Sequence, residues 1–394
     1  MVETLGSILP EESQAILDQS FAINTVNAQS IDLEMFEPMA LSFGTFQKRP
    51  SGWLSLGVVM NDTSVVGFGE GATLPGPLFT DDSGQTIAEA TKYLSAAASQ
   101  GQTARESLEI IQAYEFVGAS YPTARFATEM AVLDAVTKAN DLSMAEFIGL
   151  PKDIDSVPYG KSIGGNSEDS IMRQVESSLE LHAKKIKLKI SPASFSYVTA
   201  ALQRIKNEYP EVELMVDANG GFDPLDVANI SMIESLDELD LIMIEEPVSR
   251  VGSVRGIEAA KVLRDKLPSL STLICLDDCL VSRQDCIDAL VKDIADVVNI
   301  KPGRIGSFLQ SLELVGIAKS LDKQVMVGGM LEASPGRYVT TLLGAYCVSR
   351  GFTIAGDISL AQERLAEDLV TDDKQLQLNK DGNIILSRAI GWGF

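Results

Sequence analysis

The stretch KIKLKISPASFSYVTAALQRIKNEYPEVELMVDANGG, residues 185–221, reads as strand, helix, strand. KIKLKI is a short strand-length run. SFSYVTAALQRIKNEY carries apolar residues at helical spacing, and ELMVDA is near-continuously apolar until it closes on an acid, as expected of a parallel strand covered on both faces. The pattern extends outward in both directions. VPYGKSI (157–163) precedes it, and LIMIEEP (241–247), TLICLDD (272–278), DVVNIKP (296–302), QVMVGG (324–329) and FTIAGD (352–357) follow, with helical stretches such as SFLQSLELVGIAKSL (307–321) between them. Eight strands alternating with helices predict an α/β chain with a closed barrel. An open doubly wound sheet would ask for a Gly-rich phosphate turn after its first strand, and GxGxxG is absent.

A chain of 394 residues suits a barrel plus a smaller domain. The first third reads as α+β. WLSLGVVM, Asn61-Asp62 and TSVVGFGEG predict two strands around a tight turn. Asp81, Asp82 and Ser83 precede a helix over IAEATKYLSAAASQ that stops near Gly101, and a second helix runs through ARFATEMAVLDAVTKA, with Phe126, Met130, Leu133 and Val136 on its apolar stripe. The closing KQLQLNKDGNIILSRAIGWGF reads as strands that return to the first domain. The expected division is 1–150, an α+β domain; 151–358, the barrel; and 359–394, the returning segment. Residues 38–49 are the expected substrate lid.

The formal net charge of −23 excludes the basic stripe that nucleic acid needs and an affinity for anionic membranes. Any anionic substrate must be drawn by local cations. MVETLGSILPEESQ has no basic start and is not expected to be a signal peptide, and no apolar run is long enough to span a membrane. Cys275, Cys279, Cys286 and Cys347 are sparse and read as reduced thiols, which points to the cytoplasm. The first three are too irregularly spaced for a convincing zinc site. The single histidine, His182, reads as a solvated residue at a helix end. Ser-His-Asp triads and HExxH zinc sites each need a histidine, so base chemistry falls to other side chains.

Barrel active sites lie at the C-terminal ends of the strands. Here those ends carry Lys187 and Lys189, Asp217 and Asn219, Glu245, Asp277, and Lys301. Three carboxylates on successive strands repel one another unless a cation lies between them, and an all-oxygen set points to a hard divalent ion, Mg²⁺, with Mn²⁺ as a substitute. Lys187 and Lys189 are two apart and share a strand face. Desolvation and neighbouring positive charge would favour a neutral amine able to take a proton. A Schiff-base aldolase lysine and a non-catalytic metal-binding relic are the readings from other classes.

KLK, VDANGGF, IEEPV, CLDD and NIKPGRIG resemble the muconate-lactonising branch of the enolase superfamily over nearly the whole chain. SFGTFQKR and GFGEGA look like its N-terminal capping domain, and GWGF like its closing Gly-rich strand. The resemblance implies a modified TIM barrel of the (β/α)7β type. It makes Asp217, Glu245 and Asp277 metal ligands, Lys189 the base, Lys187 its neighbour that lowers its pKa, Lys301 the lysine of the opposite face, and Ser162 and Asn219 substrate contacts. GGMLEASPGR (328–337) is similar to the GGM-E-x-x-x-GR segment of o-succinylbenzoate synthases and N-succinylamino acid racemases, which makes Gly329 and Met330 substrate contacts. Ala333, Ser334 and Pro335 depart from that segment, Asp278 stands where Glu is commoner, and Glu246 where Gln is. The implied partner is a small-molecule carboxylate, and a homo-oligomer is compatible with the sequence. The implied reaction is α-proton abstraction, either in a synthase of menaquinone formation or in a racemase, with another muconate-cycloisomerase-like activity as a more distant possibility.

Overall fold

A computed structural model describes residues 8–41, 44–77, 80–251, 254–354 and 356–394. Part of the expected lid, residues 42–43, lies outside the described residues, as does position 355 of the expected eighth strand.

After α1 (Glu11–Leu17), three strands, β1 (Phe21–Leu41), β2 (Gly44–Met60) and β3 (Thr63–Ala72), form an antiparallel sheet in that order. The β2–β3 turn falls on Asn61 and Asp62, with φ of 47° and 65°, the pair of positive angles a two-residue hairpin needs. Helices α2 (Ile87–Ala98), α3 (Ala104–Ala113) and α4 (Pro122–Ala139) follow. The stripe expected on α4 is buried, but so is the rest of the helix from Phe126 to Thr137. Its polar faces are covered because α4 is packed between β3 and the barrel. Gly67 and Gly69 of β3 permit that approach: a Cβ on either would stand 2.0 Å from the carbonyl oxygen of Ala131 or Ala127.

The short strand β4 (Ser156–Pro158) leads into β5 (Gly160–Ile163), and the alternation then runs α5 (Glu168–Glu180), β6 (Lys185–Lys189), α6 (Phe195–Glu208), β7 (Glu213–Asp217), α7 (Val227–Ser235), β8 (Met243–Glu245), α8 (Ile257–Lys266), β9 (Leu273–Leu276), α9 (Arg283–Val291), β10 (Val297–Ile300), α10 (Phe308–Ser320), β11 (Gln324–Val327) and α11 (Ser334–Ser349). Strands β5 to β11 form one parallel sheet of seven in sequence order.

Two expectations are corrected. VPYGKSI is two strands, β4 and β5, divided at Tyr159. FTIAGD makes no strand among the described residues. Its backbone is held instead by single contacts: the Lys185 ammonium donates to the Thr353 carbonyl at 2.7 Å, and the Gly160 N–H to the Ile358 carbonyl at 3.1 Å. Gly356 lies so close to Val327 and Gly160 that a side chain there would meet backbone oxygen. The gap between β5 and β11 is therefore closed by packing rather than by a ladder. The C-terminal segment supplies one strand, β12 (Asn383–Ile385), which pairs with β4. Its end returns to the first domain, where the Trp392 indole N–H donates to the Met130 carbonyl at 2.9 Å.

Glu129 of α4 ties the two parts together. Its carboxylate accepts the N–H of Phe308 at 2.6 Å and of Leu309 at 3.0 Å, the Ser307 hydroxyl at 2.6 Å and the Gln112 amide at 2.8 Å, which caps α10 from another domain. Glu129→Ala leaves these buried donors unmatched. It is expected to lower stability by about 2–4 kcal/mol, read as a fall in the denaturation midpoint.

Candidate active site

The inward face of the barrel strands is laid down two residues at a time. Met215, Met243, Cys275, Val297 and Met326, with Ile354, form an apolar plug. The next inward position on each strand, toward its C-terminal end, is Asp217, Glu245, Asp277, Asn299 and Gly328. On β6 the corresponding series is Lys185, Lys187 and Lys189. The register sets Lys189 beside Asp217 and Asp217 beside Glu245. The polar ring thus sits directly on the plug, at the barrel end where such sites are found.

This ring floors a cavity of about 460 Å³. Ser162, Lys187, Lys189, Asp217, Asn219, Asp277, Lys301, Gly329 and Met330 all line it, so nine of the ten expected site residues meet in one place. The tenth, Glu245, is fully buried just behind, joined to the ring by Lys187 and by the Asn299 amide, which donates to it at 3.0 Å.

Lys187 is the hub. Only 4% of its side chain is exposed, and its ammonium reaches Glu245 at 2.9 Å, Asp357 at 2.9 Å and Asp217 at 3.4 Å. Burial works against its charge but is outweighed by Asp357, Glu245 and Asp217, which hold it well above the usual lysine range. It is a fixed cation and not a base. Burial pushes Glu245 up to about 8; Lys187 opposes that, and the Asp217 and Asp277 charges add to it. Burial acts the same way on Asp217 and Asp277 but is overcome, by Lys187 and Lys189 for the first and by Lys301 and Arg304 for the second, so both lie below the ordinary carboxylate range.

The two remaining lysines each face a carboxylate of the ring. Lys189, with 41% of its side chain exposed, donates to Asp217 at 2.6 Å and to Asn219 at 2.8 Å. Lys301 donates to Asp277 at 2.7 Å. As the side chains stand, each of these lysine nitrogens is turned to a carboxylate of the ring. The carboxylates are likewise engaged: Lys187 lies between Asp217 and Glu245, and Asp277 is turned to Lys301 and to Arg304 at 2.9 Å. No group of three or more His, Cys, Asp or Glu residues among those described closes on a single point. The donor chemistry nevertheless fits a hard divalent ion. The oxygens are buried carboxylates, and Glu245 is crowded by like charges that such an ion would neutralise.

Several participants were not singled out from sequence. Arg304, in the NIKPGRIG run, also holds Asp278 at 2.8 Å, and Asp278 is within 3.4 Å of the Asn219 amide. Asp357 closes FTIAGD and was legible as a strand-end acid. Arg49 closes the SFGTFQKR run, but its role was not marked there: from β2 it donates to the carbonyls of Met330 and Leu331, clamping a segment in which Leu331 has φ of 60°. His182, at φ 59°, is exposed just beyond α5, as expected. All four cysteines are free, three of them buried.

Residues 22–149 match the family described as mandelate racemase / muconate lactonizing enzyme, N-terminal domain, and residues 170–394 match that described as enolase C-terminal domain-like. The chain is 29% identical over 375 residues to an o-succinylbenzoate synthase of Bacillus subtilis, covering 94% of this chain and 93% of that one. It is 32% identical over 272 residues to an N-succinylamino acid racemase of Thermus thermophilus, covering 69% and 68%. An enolase superfamily member from Listeria innocua superposes with a TM-score of 0.81 at 25% identity, covering 95% of this chain and 94% of that one.

Proposed function

The chain belongs to the mandelate racemase / muconate lactonizing family of the enolase superfamily, and from that premise we propose that it is an o-succinylbenzoate synthase. The reaction is the dehydration of 2-succinyl-6-hydroxy-2,4-cyclohexadiene-1-carboxylate, a step of menaquinone formation in the cytoplasm. Full-length similarity to a synthase supports this choice. The observation that carries the chemistry is that Lys189 and Lys301 line one cavity, each against a carboxylate of the ring.

Asp217, Glu245 and Asp277 would hold Mg²⁺. When bound, that ion would supply positive charge to the substrate carboxylate and acidify the carbon beside it. Lys189 is the base. It is the exposed lysine of the ring, and its neutral form, turned from Asp217, would take the α-proton. Lys187 remains an ammonium, held through Asp357, and stands two residues before Lys189 on the same strand face. Lys301, on the opposite wall, faces the carbanionic charge as it develops. Ser162, Asn219, Gly329 and Met330 shape the cavity around the ring. In this reading residues 1–150 form the cap, 151–358 the barrel, and 359–394 the segment that returns across both. No described helix is long and apolar enough to cross a membrane.

A second reading, N-succinylamino acid racemase, has support from the same two lysines and from the 32% identity: Lys189 and Lys301 would then each serve one face of the α-carbon. Purified protein supplied with Mg²⁺ is expected to convert the cyclohexadiene to o-succinylbenzoate. Rapid racemisation of N-succinylamino acids with the diene left untouched would replace the first reading with the second.

A further inference from the structure

The wall of the cavity built by the C-terminal segment has no task in the proton transfer. Lys161 of β5 and Arg364 both line it, as do Lys189 and Lys301. Lys161 donates to Glu363. Glu363 is itself fixed, by the Tyr159 hydroxyl at 2.8 Å and, on its other oxygen, by the Leu360 N–H at 3.2 Å. The segment is anchored to the capping sheet as well: the Phe36 N–H donates to the Arg364 carbonyl at 3.0 Å, and the Ala366 N–H to the Glu34 carbonyl at 2.8 Å. The wall is therefore a built surface rather than a loose tail.

Its charges do not cancel. Glu363 is the acceptor of Lys161 among the described residues, which leaves N–H groups of that ammonium over. Arg364 is exposed and has no ion-pair partner among the described residues. Asp357, which lines the same cavity, is taken up by Lys187 at 2.9 Å, so Lys161 and Arg364 stand against Glu363 as two cations to one carboxylate in a protein of net charge −23, and local cations are what a chain of that sign needs to attract an anion.

We propose that Lys161 and Arg364 are the subsite for the second carboxylate of the proposed substrate, the free end of its succinyl chain. This deepens the proposed function and rests on it for the first carboxylate, which goes to the reaction centre. Glu363 sets the position of Lys161, and Tyr159 sets Glu363, so the C-terminal segment selects the substrate while the barrel performs the chemistry.

The test is calorimetric binding of N-succinylphenylalanine and N-acetylphenylalanine, the second lacking the distal carboxylate, to the full chain with Mg²⁺. The native protein is expected to bind the succinyl compound at least about tenfold more tightly, and Lys161→Ala and Arg364→Ala each to reduce that ratio at least about fivefold. Lys161→Arg is expected to retain it. Arg364 is exposed, so its variant keeps the test decisive should Lys161→Ala fail to fold. A native protein without preference, or a ratio unmoved in both alanine variants, would overturn the subsite. Binding requires no turnover: a protein that discriminates between the two ligands yet leaves the cyclohexadiene unconverted upholds the subsite and contradicts the proposed reaction instead.

Discussion

Lys189→Ala is expected to lower turnover by about 10²- to 10⁴-fold, the range for losing a positioned general base, while leaving the protein folded. Lys189→Arg is expected to fail as badly, because a guanidinium keeps the charge beside Asp217 but does not give up its proton near neutral pH. The pair of variants separates base catalysis from charge. If the role of Lys189 were only to balance Asp217, which it reaches at 2.6 Å, the arginine variant would retain most of the activity. Steady-state kinetics on both variants, with thermal midpoints as a control for folding, decide between the two roles. In the racemase reading the same substitution removes one face of the reaction, and interconversion is lost from either enantiomer.

Lys187→Met is expected to act on stability first. The native ammonium is buried among Asp217, Glu245 and Asp357 at 3.4, 2.9 and 2.9 Å. Removing one partner from a buried ionic cluster leaves charge uncompensated and costs about 3–5 kcal/mol. The direction of rescue is specific. If Asp217 and Glu245 are metal ligands, a divalent cation supplies the missing positive charge, and saturating Mg²⁺ should recover a large part of the lost midpoint. A midpoint that falls and does not respond to Mg²⁺ would mean that the two carboxylates serve the lysine alone. Circular-dichroism melts with Mg²⁺ and with chelator measure both quantities.

The fold was legible where a residue type answers to one local rule. Asn61-Asp62 marked a hairpin because few residues accept two positive φ angles in succession. KIKLK, ELMVD and LIMIE marked buried parallel strands because polar residues entered them only at their ends, apart from the lysines of the first. That same rule exposed Lys187, Lys189, Asp217, Glu245 and Asp277: Lys187 stands level with the apolar plug beside Met215, and the other four stand one inward step beyond it, where nothing but the site requires a charge. FTIAGD misled because apolar content records burial, not hydrogen bonding, and a segment passing Gly160 and Gly356 at close range can be buried without pairing. The carboxylates that pair with the lysines are supplied by neighbouring strands, so which partner each lysine meets depended on side-chain choices that spacing does not record. Arg49 was legible only as the end of the SFGTFQKR run and of the expected lid, not as a cavity residue, and Glu363 had no signal. Their partners lie 281 and 202 residues away in the chain, and only the closed fold brings them to one cavity.

The account stands on a carbon acid beside a carboxylate, activated by a divalent cation and deprotonated by lysine. The most direct measurement is proton NMR of the cyclohexadiene substrate and, separately, of an N-succinylamino acid, each incubated in deuterium oxide with the Mg²⁺-loaded protein. The α-hydrogen signal of the cyclohexadiene is expected to disappear as o-succinylbenzoate forms, to persist once a chelator removes the metal, and to be lost again when Mg²⁺ is restored. An α-hydrogen that survives on both compounds in the fully loaded protein, or one lost equally fast in chelator, would contradict it.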